Sequence, residues 1–226
     1  MSTAIDLTVQ DANVLLTTLK KYLPQLSEFG VTEGGIQEFE NLVTTLQQKD
    51  LAYKGAQNTK RQFTIEQNLQ VERAREIIKK VKTASQVAFF NDKGKLLDFH
   101  KGKAIPSTVS GLVAETLYMK ETAGLNTEAL QARGIKAADL AELETCHNEL
   151  TRIDNAQEDA KHSQKTLREE RDAALNDLKA TMFRMRKSAE VCFMKNKTAL
   201  AEFRSIIPVY KSTKTATTTE PEPPNP

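Results

Sequence analysis

Glu144 and His147 are the residues best spaced for chemistry, three positions apart, with Glu142 beside them. On a helix, positions i and i+3 share a face, and carboxylate-bridged metal bundles use a Glu-x-x-His pair of this kind. Such a centre needs a second pair and further carboxylates from facing helices. The residues 104 positions earlier are Glu40 and Val43, so no second pair accompanies the first. Cys146 and His147 are adjacent, which turns them roughly 100° apart on a helix and rules out chelation by the two together. His162 has Glu158 four residues before it, a common surface pairing. His100 stands alone. The sequence holds no G-x-S-x-G, no phosphate-cradling glycine loop and no cysteine pair at zinc spacing. The expectation is therefore a protein that is not an enzyme, with no metal, no cofactor and no small-molecule substrate.

Basic residues form the next candidate. Arg73, Arg75, Lys79, Lys80 and Lys82 cluster in one stretch, and Arg184, Arg186 and Lys187 in another. They could present a basic face to a polyanion, either a nucleic acid or an anionic membrane surface. Nucleic-acid modules add glycine, aromatic or motif signatures that are missing here. With aromatics at 6%, stacking platforms are not expected. A solvated helix face is the favoured reading, and the anionic partner is the alternative.

Both basic clusters sit inside a stretch that occurs twice. Residues 82–99 (KTASQVAFFNDKGKLLDF) recur as 186–203 (RKSAEVCFMKNKTALAEF), 104 positions later and without a gap. Val87, Phe89, Lys93, Leu96 and Phe99 pair with Val191, Phe193, Lys197, Leu200 and Phe203. Gly30-Val31 pairs with Gly134-Ile135. Val71, Ala74, Ile78, Val81, Ser85 and Ala88 pair with Leu175, Leu178, Met182, Met185, Ala189 and Cys192. That set steps by three and four in both copies, the stripe of a helix packing along a coiled-coil-like seam. The pattern predicts an all-α protein: a tandem duplication of a helical unit with long amphipathic helices, forming an elongated bundle. The units would span 1–104 and 105–210, leaving a Thr- and Pro-rich tail, 211–226, that reads as disordered.

Charge follows the same repeat. Residues 1–50 carry 3 basic and 7 acidic residues, and 51–104 carry 12 and 5. Residues 105–158 carry 4 and 9, and 159–226 carry 13 and 9. Each copy is acidic in front and basic behind, so acidic and basic helices are expected to lie side by side. Cys146 and Cys192 are too few for a disulfide framework and read as buried thiols of a reducing compartment. The N-terminal residues lack a signal-peptide pattern, and no apolar run approaches the ~20 residues that span a bilayer. A cytoplasmic location is expected.

Element boundaries follow from local chemistry. A first helix is expected over 4–20, with Pro24 in the first turn of a short second one. Gly30 and Gly134 suit helix C-caps, and long helices should restart near Thr32 and Ala138. Asp139 with Glu142 has capping-box spacing. Ile36, Phe39, Val43 and Leu46 form one buried stripe, and Leu140, Leu143, His147 and Leu150 its counterpart. Asp50 and Asp154 fall on those stripes at matched positions. Gly94 should cap the first long helix, and Gly102 with Pro106 should break the chain between copies. From Lys136 to Ile207 there is neither Gly nor Pro, and ~60 helical residues would run ~90 Å. The middle segments, around Gly55 and its counterpart, are polar almost all round. They either continue as one exposed helix or turn in a hairpin; the expectation leans to the hairpin.

The Gly-Val/Ile turn, the Ile36/Phe39 and Leu140/Leu143 helices and the Phe-containing repeat ends resemble duplicated helical-bundle proteins of bacteria whose activity is uncharacterised. The resemblance covers residues 20–207 and implies a fold but no activity. The expected function is structural, or an interaction with a protein partner or with itself. Phe89, Phe90, Phe99, Phe193, Met194 and Phe203 are the candidate contact residues, with an intramolecular core as their alternative role.

Overall fold

A computed structural model describes residues 4–207, and every regular element among them is helical. The order is α1 (Ala4–Lys21), α2 (Leu23–Leu26), a 3-10 turn (Ser27–Phe29), α3 (Glu33–Ala88), α4 (Lys93–Asp98), α5 (Val109–Gly124), α6 (Thr127–Gln131), α7 (Ala137–Cys192) and α8 (Lys197–Glu202). Starts and ends of α3 and α7 differ by 104, as do those of α4 and α8. The expected tail, 211–226, lies outside the described residues.

Helix α3 and helix α7 are each 56 residues long and continuous. The hairpin break near Gly55 does not occur. Gly55 lies within the helix, and nothing approaches within 4 Å of where its Cβ would stand. A glycine in this setting weakens a helix by about 1 kcal/mol without ending it. The flanking turns carry enough side-chain contacts to continue. Arg171 stacks over the Tyr53 ring at 4.1 Å. Lys49 reaches Glu170 at 2.6 Å, Gln157 donates to Thr64 at 3.2 Å, and Gln67 donates to Asp154 at 3.2 Å. These pairs run in antiparallel register, so a polar seam replaces the apolar stripe there.

The helix ends obey local rules, with two corrections. Gly30 and Gly134 adopt left-handed conformations, φ 82° and 89°, where glycine costs least. The Thr32 hydroxyl accepts from Gly35 N–H at the start of α3. Gly94 does not end α3. It lies inside α4, whose N-cap is Asp92, accepting from Lys95 N–H. Asn196 caps α8 in the same way from Ala199 N–H, so the matched signal is an Asp/Asn cap. Asp139 does not act as the cap for Glu142. Its carboxylate reaches back to Lys136 N–H at 2.8 Å and so takes the acidic third-residue role of a capping box.

Two compact units share these helices. One comprises the chain up to Gln48 together with the chain from Ala173, and the other is Lys49–Asp172. The first buries Leu15, Leu19, Leu26, Phe39 and Leu46 with Leu178, Met182, Ala189, Phe193 and Phe203. The second buries Ala74, Ile78, Val81, Phe89 and Phe99 with Leu112, Met119, Leu130, Leu143 and Leu150. These units are cut differently from the expected repeats at 1–104 and 105–210. The front half of each expected repeat packs with the back half of the other, because an unbroken long helix cannot fold back on itself. Acidic front and basic back halves are thereby brought into the same unit.

Candidate interaction surfaces

The phenylalanine candidates divide into buried and exposed sets. Phe89 stacks on Phe99 with ring centroids 5.6 Å apart. Phe193 stacks on Phe203 at 5.7 Å, and Tyr22 meets Phe193 edge-on at 5.1 Å. All four phenylalanines are buried, so each pair closes the core at the end of its own unit. Phe90 is 78% exposed and Met194 70% exposed, and these too are 104 positions apart. Val87 and Val191, also matched, are both 56% exposed. Thus each of these two places turns one aromatic inward and its apolar neighbour outward. Phe89-Phe90 and Phe193-Met194 lie in the turns that follow the last residues of α3 and α7, at matched positions.

Most of the basic candidates have partners within the chain. Lys82 forms an ion pair with Glu115 at 2.9 Å, and both side chains are almost buried. Arg186 pairs with Asp11 at 2.8 Å, and Asp11 is 1% exposed. Lys80 bonds Asp139 at 2.6 Å. Arg75 and Lys187 pair along their own helices with Glu72 and Glu190, and Arg184 donates to the Thr181 hydroxyl. Arg73 and Lys79 are exposed. Arg73, Arg75, Lys79, Lys80 and Lys82 belong to one unit, and Arg184, Arg186 and Lys187 to the other.

Two buried ionic stations emerge from this sorting. Asp11 on α1 accepts from Arg186, from the Ser205 hydroxyl at 2.8 Å and from Ile206 N–H at 3.0 Å. Arg186 also donates to the Phe203 carbonyl at 2.9 Å. Glu115 on α5 faces Lys82, and His100 Nδ1 lies 3.0 Å from its other oxygen. His100 has φ 51°, unusual for a residue with a side chain, and its ring stacks on Tyr118 at 4.3 Å. Asp11 and Glu115 are 104 positions apart, as are Lys82 and Arg186. The acids were missed in the sequence because the repeat was read through its apolar positions. The same shift applied to charges finds both stations.

The metal candidate is used for packing. Glu144 bonds Lys120 at 2.6 Å, and that pairing lowers its pKa from the ordinary glutamate value. His147 Nδ1 lies 3.1 Å from the Val113 carbonyl, which ties α7 to α5. Glu158 pairs with Lys161 at 2.5 Å, which lowers its pKa, with a smaller influence from His162. Among the described residues, no group of three or more His, Cys, Asp or Glu is placed to hold a metal ion. Burial raises the pKa of the Cys146 thiol, with Glu142 adding to the effect. Burial also raises that of Cys192, whose Sγ donates to the Gln25 carbonyl at 3.5 Å. Neither thiol is activated as a nucleophile. No described helix is long and apolar enough to cross a membrane.

No protein-family model, curated protein or solved structure matches the chain.

Proposed function

We propose that the chain is a non-enzymatic scaffold, a tandem duplication of one helical unit that contacts protein, itself or a partner, through matched apolar residues at its repeat ends. The observation that carries this reading is the inward–outward division of those ends. Phe89/Phe99 and Phe193/Phe203 are spent on the cores, while Phe90 and Met194 stand exposed at equivalent positions beside Val87 and Val191. Single exposed apolar residues are ordinary on protein surfaces. Recurrence at two positions 104 apart, on elements whose boundaries also recur at 104, supports a shared use. The spacing of the caps Asp92/Asn196 and of the ionic stations supports the duplication itself.

The basic face has weaker support. Lys80, Lys82 and Arg186 are engaged by Asp139, Glu115 and Asp11, which leaves few of the basic candidates to meet an outside anion. The distinguishing experiment measures mass in solution across a concentration series for the native chain and for the Phe90→Asp, Met194→Asp double variant, with circular dichroism as the folding control. Concentration-dependent mass above 25.2 kDa that the double variant abolishes, with helicity intact, supports self-association. A 25.2 kDa monomer throughout, which also retains no specific protein partner sensitive to those two substitutions, overturns the scaffold surface.

A further inference from the structure

The middle of α3 turns an uncovered stripe away from α7. Tyr53 and Gln67 point toward α7, where Tyr53 lies under Arg171 and Gln67 bonds Asp154. On the opposite side of the helix stand Leu51, Gly55, Asn58, Gln62, Ile65 and Leu69, all exposed and all within the unit Lys49–Asp172. They step by four and three, the spacing of a coiled-coil seam. One exposed leucine is ordinary on a protein surface, but Leu51, Ile65 and Leu69 share a single helix face. We propose that this stripe binds a second copy of the chain, with the two α3 helices laid antiparallel.

The occupant follows from the stripe being complementary to itself when reversed. Two antiparallel copies centred on position 60 set Leu51 against Leu69 of the second copy, Gly55 against its Ile65 and Asn58 against its Gln62. Each contact then occurs twice, as a two-fold interface requires. Leucine meets leucine at both ends. Ile65 meets the one position without a side chain, and nothing in the chain comes within 4 Å of where the Gly55 Cβ would stand. At the centre two amides face each other, each able to donate and to accept. Parallel pairing would instead set glycine on glycine and leave a gap in that layer. A partner of unrelated sequence gives no reason for a stripe that matches its own reversal. The amide layers, and Arg61 beside its own counterpart near the axis, make the contact weaker than an all-apolar seam, so the dimer is reversible. Phe90 and Met194 take no part in it, so this contact and the one at the repeat ends can fail separately.

The test uses the full chain with Cys146→Ala and Cys192→Ala, carrying either Leu51→Cys or Leu69→Cys, with circular dichroism as the folding control. The two variants are oxidised separately and as a mixture. A disulfide-linked dimer is expected from the mixture, at about tenfold the yield of either variant alone, because like thiols lie about 27 Å apart in the antiparallel pair, far beyond disulfide reach. Adding Ile65→Lys should lower the mixed yield about tenfold, the effect of exchanging a buried aliphatic group for a charge. Adding Phe90→Asp and Met194→Asp should leave it unchanged. Equal yields from the mixture and from single variants, or no linked dimer at all, overturn the proposal. A yield that Phe90→Asp and Met194→Asp abolish and Ile65→Lys does not touch also overturns it, in favour of the repeat ends. Light scattering on the native chain and on Ile65→Lys needs no cysteine replacement. The native mass should rise above 25.2 kDa with concentration and the variant's should not; equal masses overturn the seam.

Discussion

Residues with charge, more than residues with reactive groups, explain how this chain holds together. Asp11 and Glu115 are almost inaccessible, and each is satisfied by a cation from a long helix and by further donors. Removing the acid leaves Arg186 or Lys82 half-buried with a backbone carbonyl but no carboxylate, a loss bounded above by the about 3–5 kcal/mol of a broken, fully buried pair. Asp11→Ala and Glu115→Ala are therefore expected to destabilise the fold in chemical denaturation by about 1–3 kcal/mol. Asp11→Ala combined with Arg186→Met should recover part of the loss, because no orphan charge remains. A loss under 1 kcal/mol for both single variants would show that the stations are not stabilising elements. Asp139 supplies a prediction in pH. The Lys136 backbone N–H, followed by the Lys80 ammonium, lowers its pKa below the ordinary aspartate value. A lowered folded-state pKa stabilises the fold above the unfolded value, about 3.9, and that contribution disappears as pH falls through the lowered one. Asp139→Asn should thus destabilise the protein near neutral pH and converge with the native chain in strong acid. Urea midpoints for both proteins at several pH values check this, and a gap that stays constant with pH would refute it.

At the scale of elements, the sequence and the structure diverge at the middle of the long helices. Apolar periodicity located both ends of α3 and α7, since Ile36/Phe39/Val43/Leu46 and Ala74/Ile78/Val81 are buried as their spacing requires. It failed between them because the seam there is built from Tyr53 under Arg171, Gln67 on Asp154 and Gln157 on Thr64. Such contacts have no apolar period, so a continuous helix and a hairpin tip read alike. Gly55→Ala separates the two conformations. In a continuous helix with free space at the Cβ position, alanine should stabilise by about 0.5–1 kcal/mol. A glycine needed for a turn at positive φ would make the same change destabilising, so the sign of the shift in melting temperature decides. Caps were partly legible for a similar reason. Gly30 and Gly134 announce left-handed C-caps, whereas Asp92 was hidden behind Gly94, a residue type that ends helices more often than it sits within them.

For the whole molecule, the recurrence of residue classes at a shift of 104 is legible in the sequence, but which segment covers which is not. Periodicity identifies which face of a helix is buried and says nothing about which other helix covers it. Charge balance pointed toward acidic fronts meeting basic backs, and this holds within each unit. The pairing nevertheless crosses the expected boundary at 104/105: Asp11 meets Arg186, and Glu115 meets Lys82. That crossing makes the isolated fragment 1–104 a sharp test. A chain of residues 1–104 carries α1, α3 and α4, but it lacks the α7 and α8 residues that complete the core around Leu15, Leu19 and Phe39. It also lacks the α5 and α7 residues that complete the core around Ile78, Val81 and Phe99. One copy cannot close either core while α3 remains a continuous helix. Two copies can, each standing in for the missing repeat, with Lys82 offered to Asp11 in both directions. Fragment 1–104 is therefore expected to be a helical dimer, or unfolded at concentrations too low for pairing, with helicity that rises with concentration. Light scattering and circular dichroism on the same dilution series read both quantities. A folded, concentration-independent monomer would mean that α3 can bend back on itself and that each repeat is a domain in its own right.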